Sequence, residues 1–287
     1  MASKITLKNL QDQEFSITHP DGAGAVSIDS NDIFKKSETE SNIASFNKGM
    51  KNLLINSSFK VNQRTYVSGT NTTTTNQYCH DRWRVVTLGQ NVTFTETNGV
   101  VTVTAPAGGY EQIIENINNI GGNYVVSNEG TASVSVYTST DNITYTQVTP
   151  ANGVYAITGG TYIKVKFTSG TIRKPQFEKG TISTAWEERL FGTELSLCQR
   201  YFSKGLVTAR GYAAGPNVLI SVPFYYPVSM RVVPTVNLTD GGGRSNLYSV
   251  VVGTPGFDVY SNRLEITAAA SGDFRALHDI WTASAEL

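Results

Sequence analysis

The chain has 287 residues, with 23 Lys and Arg against 23 Asp and Glu, so its formal net charge is zero and it has neither the basic excess of a nucleic-acid binder nor an acidic tail. Only 16% of residues are charged, whereas Thr, Ser and Asn together make up roughly 28%, far above an ordinary helical or α/β enzyme. Thr and the 14 Tyr suit pleated strands, Asn, Ser and the 26 Gly suit turns, and the composition predicts an all-β protein large enough for two domains.

The first stretch, Met1-Ala2-Ser3-Lys4-Ile5-Thr6, has no apolar core of signal-peptide length. No apolar run approaches the roughly 18 residues that span a bilayer, so the expectation is a soluble chain made in a cytoplasm without membrane insertion. Residues 1–36 alternate in short polar and apolar pieces, with Phe15 and Ile17 before the turn Pro20-Asp21-Gly22, and Val26 and Ile28 after it. They predict a small β-hairpin unit that buries too little to stand alone and so docks on a partner.

Residues 37–51 open on Ser37-Glu38-Thr39-Glu40, a capping box, and Ile43, Phe46, Met50 and Leu53 follow at helical spacing. Two readings stay open for this seam: the neck of a short helical bundle, or an ordinary amphipathic linker helix. Further on, Asn71-Thr72-Thr73-Thr74-Thr75-Asn76 is a polar connector.

Between Val92 and Ala105 the dipeptide Asn98-Gly99 predicts a two-residue hairpin pairing Phe94 with Val103 and Glu96 with Val101. One face would be apolar, and Thr93, Thr95, Thr97, Thr102 and Thr104 would form a polar wall on the other. The same alternation in 132–136 and 163–167 predicts further sandwich strands. Thr193 to Phe202 reads as a short helix or strand joining two domains. Strand patterns then resume at Val218, Ile220, Val222 and Phe224, and at Met230, Val232, Pro234 and Val236, predicting a smaller second sandwich.

Catalytic signatures are missing. His19, His80 and His278 lie in separate segments with no nucleophile or carboxylate at a recognisable spacing, and there is no nucleophile elbow, zinc-protease helix, phosphate loop or dinucleotide fingerprint. Cys79 and Cys198 form no metal-ligand spacing and read as two buried thiols, with a single bridge between them left open. The expectation is therefore a non-enzymatic protein with no cofactor and no metal. Tyr and Trp stack on sugar faces while Asn, Asp and Arg bond hydroxyls. On that chemistry Arg210, Tyr212, Tyr225, Tyr226, Asp240, Arg244, His278 and Trp281 are the candidate glycan-binding residues. Tyr225 and Tyr226 are adjacent, so within a strand one of them must point away from the core.

Asn52-Leu53-Leu54-Ile55-Asn56-Ser57-Ser58-Phe59, Asn62-Gln63-Arg64 and Asp81-Arg82-Trp83 resemble, in order, the opening of a jelly-roll module of bacteriophage tail fibres and other virion fibres. Gln176-Phe177-Glu178-Lys179-Gly180, Ala185-Trp186-Glu187-Glu188-Arg189 and the ending from Trp281 to Leu287 are similar to that family's closing strand and tail. Three positions depart from its pattern: Ser57-Ser58 replaces a Gly, Asn62 the first Trp, and Thr65 the Gly after the arginine.

The resemblance implies a virion fibre, made in the host cytoplasm and displayed on the particle as a homotrimer. It implies a virion-attachment segment at 1–36 (Phe15, Ile17, Val26, Ile28), a neck at 37–51 carried by Ile43, Phe46, Met50 and Leu53, a carbohydrate-binding-module-like jelly roll at 52–190, and a C-terminal β-sandwich at 191–287. Expected partners are other virion proteins (baseplate, tail or collar) at the N-terminus and a host polysaccharide or lipopolysaccharide at the distal end. The alternative is a head, neck or collar decoration fibre without receptor binding.

Overall fold

The computed structural model describes residues 4–8, 14–18, 50–252 and 258–287, and the chain divides into two units, Met1–Gly49 and Met50–Leu287. The protein is all-β, its sheets antiparallel throughout.

In the first unit β1 (Lys4–Lys8) pairs with β2 (Glu14–Thr18), setting Ile5 opposite Ile17 and Leu7 opposite Phe15. The strand holding Phe15 and Ile17 thus finds its partner upstream, where Lys4-Ile5-Thr6-Leu7-Lys8 has the same period-two alternation. Val26 and Ile28, the capping box, Ile43 and Phe46 lie outside the described residues.

The second unit holds two sandwiches. The first contains, in chain order, β3 (Gln77–Tyr78), β4 (Arg84–Val85), β5 (Thr93–Thr97), β6 (Val100–Ala105), β7 (Tyr110–Ile114), β8 (Gly122–Ser127), β9 (Ser133–Ser139), β10 (Thr146–Val148), β11 (Val154–Ile157), β12 (Tyr162–Thr168), β13 (Gly170–Ile172) and β14 (Gln176–Lys179). A six-stranded sheet runs in the order β10, β9, β12, β7, β4, β3, and two three-stranded sheets, β11-β8-β14 and β13-β6-β5, complete the layers. Strand β12 shows why: Ile163, Val165 and Phe167 are buried while Lys164 and Lys166 alternate with them toward solvent. Those three join Val103, Tyr124, Val136 and Phe177 in one core, where Trp83 stacks on Tyr110 at 5.4 Å and Tyr124 on Phe177 at 5.1 Å. Burying a side chain such as Phe167 contributes about 1.5–3 kcal/mol.

The β5–β6 hairpin forms as expected, with Phe94 opposite Val103 and Glu96 opposite Val101. Asn98 (φ 51°) and Gly99 (φ 76°) both take the left-handed conformation that a type I′ turn requires. The polar connector is stapled too, because the buried Thr72 hydroxyl donates to the carbonyls of Thr87 and Gln90.

Met50 and Leu53 do not sit on a helical seam. Met50 is half exposed at φ 50°, and Leu53 donates its N–H to the Phe177 carbonyl at 2.8 Å and packs on the first core. Around them the opening motif works as a backbone staple. The Asn52 side chain bonds Leu54, Phe177, Pro175 and Ser57; Asn56 bonds Val61 and the Asp81 carbonyl; and the Trp83 indole donates to the Ile55 and Asn56 carbonyls. Buried loop polar groups without such partners would each cost of the order of 1–3 kcal/mol.

Helix α1 (Phe191–Gln199) follows and leads into the second sandwich: β15 (Phe202–Ala213), β16 (Leu219–Tyr225), β17 (Thr235–Thr239), β18 (Leu247–Val252), β19 (Ser261–Ala268) and β20 (Gly272–Ser284). Sheets β15-β20-β17 and β16-β19-β18 face each other across Val207, Phe224, Leu264, Ile266, Phe274 and Trp281. The strand expected over Met230–Val236 is confined to Thr235–Thr239. Pro234 brings no N–H to a ladder, and Met230 is instead buried from a loop, its N–H bonded to the Val259 carbonyl.

The two sandwiches are locked by the chain's last residues. The Glu286 carboxylate pairs with Arg64 (2.9 Å) and with the fully buried Arg82, and the Leu287 carbonyl accepts from Tyr78 and Arg84. Arg231 clamps the Ala285 and Glu286 carbonyls from the second sandwich. Arg82 lies 3.5 Å over the Tyr201 ring and Arg64 lies 3.8 Å over that of Phe202. Burial opposes the Arg82 charge, but Glu286 beside it more than compensates and holds the guanidinium protonated.

Candidate functional site

Strands β15 and β20 are the longest among the described residues, and they pair with Arg210 opposite Arg275, Gly211 opposite Phe274 and Tyr212 opposite Asp273. Period-two alternation sends Ala209, Ala276 and Phe274 into the core and leaves Arg210, Tyr212, Asp273 and Arg275 exposed. Ser245, in the loop before β18, exchanges backbone hydrogen bonds with Arg275 and closes one side. The result is an open groove of about 610 Å³ lined by these residues. Gly211 is required in its floor, because a Cβ there would stand 2.8 Å from the Phe274 ring. Tyr212 is 69% exposed, with its hydroxyl 3.2 Å from that of Ser271.

Of the eight candidate glycan residues, the groove gathers Arg210 and Tyr212. Trp281 (4% exposed) and Tyr226 (6%) are core residues, stacked and edge-on in a cluster with Phe224, so neither offers a face to a ligand. Of the tyrosine pair it is Tyr225 that points outward, on β16 in the opposite sheet. Arg244 is bound to the buried Asp279 at 3.1 Å, with Asp240 3.6 Å away, so this trio neutralises a core carboxylate. His278 lies on β20, and its side chain is outside the described residues. The reading of the residues missed Ser245, Asp273, Phe274 and Arg275; the alternation of Gly272-Asp273-Phe274-Arg275-Ala276 was the available signal.

A second depression, of about 730 Å³, lies in the first sandwich between the hairpin tip at Asn98 and Gly99 and the indole of Trp186. Its charges are largely spent on each other. Lys174 pairs with Glu129 at 3.1 Å and sits 5.8 Å from the Trp186 ring, which donates its own N–H to Ser57. The corner made by Gln63, Arg64, Asp81 and Arg82 is filled by Phe202 and Glu286.

Acid–base chemistry is not assembled at either depression. His80 is buried beside Tyr110 and Phe94, and burial holds its pKa down at about 4, so it is neutral at pH 7. Cys79 and Cys198 are both buried free thiols; burial pushes Cys79 up to about 11 and also raises Cys198 well above a thiol's ordinary value. Among the described residues no group of three His, Cys, Asp or Glu side chains converges as a metal site.

No family model matches the chain, and no curated protein matches it. Among solved structures it is similar to discoidin II of Dictyostelium discoideum, 10% identical over 64% of this chain and 75% of that one, with a TM-score of 0.19. A likeness at that level carries no argument about fold or ligand.

Proposed function

We propose that the chain is a non-enzymatic bacteriophage tail fibre, homotrimeric on the virion, fixed to the particle through residues 1–36 and binding a host polysaccharide or lipopolysaccharide through its C-terminal sandwich. The virion half of this reading rests on the fibre-like motifs. The observation that carries the binding half is the β15–β20 groove, where an exposed Tyr212 ring stands beside guanidinium and carboxylate groups on two paired strands. A sugar offers one apolar face and a rim of hydroxyls, which that combination matches. Three copies on one fibre would turn weak single contacts into useful avidity.

A decoration fibre without receptor binding is the second reading. It is favoured by the motif residues of the first sandwich being consumed in packing and in the Glu286 socket. The two are separated by presenting the full-length labelled chain to immobilised capsular polysaccharides and lipopolysaccharides, alongside Tyr212→Ala. Receptor binding predicts capture on at least one surface and a drop of tenfold or more in the variant. A folded chain captured by none of them supports the decoration fibre.

A further inference from the structure

Resting on the reading of this groove as a glycan site, we infer that it selects acidic saccharides, with Arg210 and Arg275 forming a fork for one carboxylate or phosphate substituent. The two arginines are direct cross-strand partners and both are exposed. Side chains so placed have Cβ atoms about 4.5–5.5 Å apart, and like charges there oppose strand pairing.

Elsewhere in the second sandwich each described arginine is satisfied. Arg231 donates to carbonyls, Arg244 pairs with Asp279 and Arg263 pairs with Glu265. Among the described residues, Arg210 and Arg275 have no carboxylate within 4.0 Å and donate no side-chain hydrogen bond. Asp273 faces the same groove from opposite Tyr212, outside ion-pair distance of both, and offsets one of the two charges. The fork therefore keeps an unspent positive charge in a chain whose net charge is zero.

Guanidinium groups bind carboxylate and phosphate oxygens through paired N–H donors, and a single bound anion would relieve the repulsion between the two arginines. Two cations side by side hold one anionic group, not a polyanion track, so the ligand is a sugar unit bearing one acid. Its ring would lie on Tyr212, the exposed aromatic beside the fork.

The test is titration calorimetry on the full chain at millimolar ligand with four probes: trigalacturonate, mannose 6-phosphate, neutral maltotriose and inorganic phosphate. It is repeated for Arg275→Gln, Arg275→Lys and Tyr212→Ala. One acidic sugar is expected to bind at least tenfold tighter than maltotriose and to weaken as salt rises, and which of the two does so tells carboxylate from phosphate. Arg275→Gln should lose that preference while its melting temperature stays level or rises, and Arg275→Lys should keep part of it.

Maltotriose binding as tightly as both acids, with Arg275→Gln unaffected and Tyr212→Ala defective, would overturn the fork and leave the glycan reading standing. Phosphate binding that needs Arg275, with no sugar bound, would keep the fork and remove the glycan reading. No binding of any probe overturns both.

Discussion

His80 shows how a single residue can be prominent in the sequence and silent in chemistry. Its ring is held between Tyr110 and Phe94, 2.9 Å from the Tyr110 hydroxyl, and burial keeps it neutral down to about pH 4. In the unfolded chain the ring takes up its proton near pH 6.5. Between these values only the unfolded state binds the proton, so stability is full above pH 6.5 and is lost as pH falls toward 4, by about 3 kcal/mol from this group. The neighbouring Asp81, raised by burial, acts in the opposite sense and softens the slope. Urea midpoints measured from pH 7.5 to 4.5 should fall with acidity in the native chain and fall less in His80→Phe; parallel slopes would rule the assignment out.

The same scale explains the glycan residues that proved internal. Trp281 is followed by Ala283 on the same face of β20 and by the buried Ala285 just past the strand's end, and small residues alternating with a large aromatic mark a packed face. Residue chemistry alone nominated Trp281; its register placed it against Phe224.

At the scale of elements, local signals succeeded where the backbone itself was constrained. Asn98-Gly99 determines a turn type, and the turn type sets the pairing of β5 with β6. Alternation likewise located β9, β12 and β16. The Met230–Val236 pattern had the right period, but Pro234 could not donate to a neighbour; Met230 and Pro234 are buried ahead of the strand, Val232 is exposed, and Val236 alone lies within β17.

Another element carries a cost visible only in its dihedrals. Thr65 closes a turn with its N–H on the Asn62 carbonyl at φ 56°, a conformation poorly suited to a β-branched residue. Thr65→Gly, which restores the residue that the fibre family carries there, is expected to stabilise the chain by about 0.5–1 kcal/mol, the relief of strain exceeding the added chain entropy. A lowered denaturation midpoint for Thr65→Gly would contradict this.

On the scale of the whole molecule, the decisive contact joins residues more than 200 positions apart. Glu286 reaches Arg64 and Arg82, while Arg231 and Tyr201 hold the same segment from the other side. Glu286→Gln leaves a buried guanidinium without its counter-charge and is expected to cost about 3–5 kcal/mol. Because the pair bridges two cores, the variant should unfold in two steps by calorimetry, whereas the native chain should unfold them together in one; a single step at an unchanged midpoint would refute the coupling.

Composition and alternation by themselves determined the all-β class, the short hairpin, the positions of several strands and the joint near residue 200, because each depends on backbone preferences and a two-residue period that neighbours in the chain enforce. Only the tertiary structure decided that the arginines of the opening motif seat the chain's end rather than a ligand, and that Arg210 meets Arg275. Both depend on which distant strands pair and in what register, and nothing local to either partner specifies that.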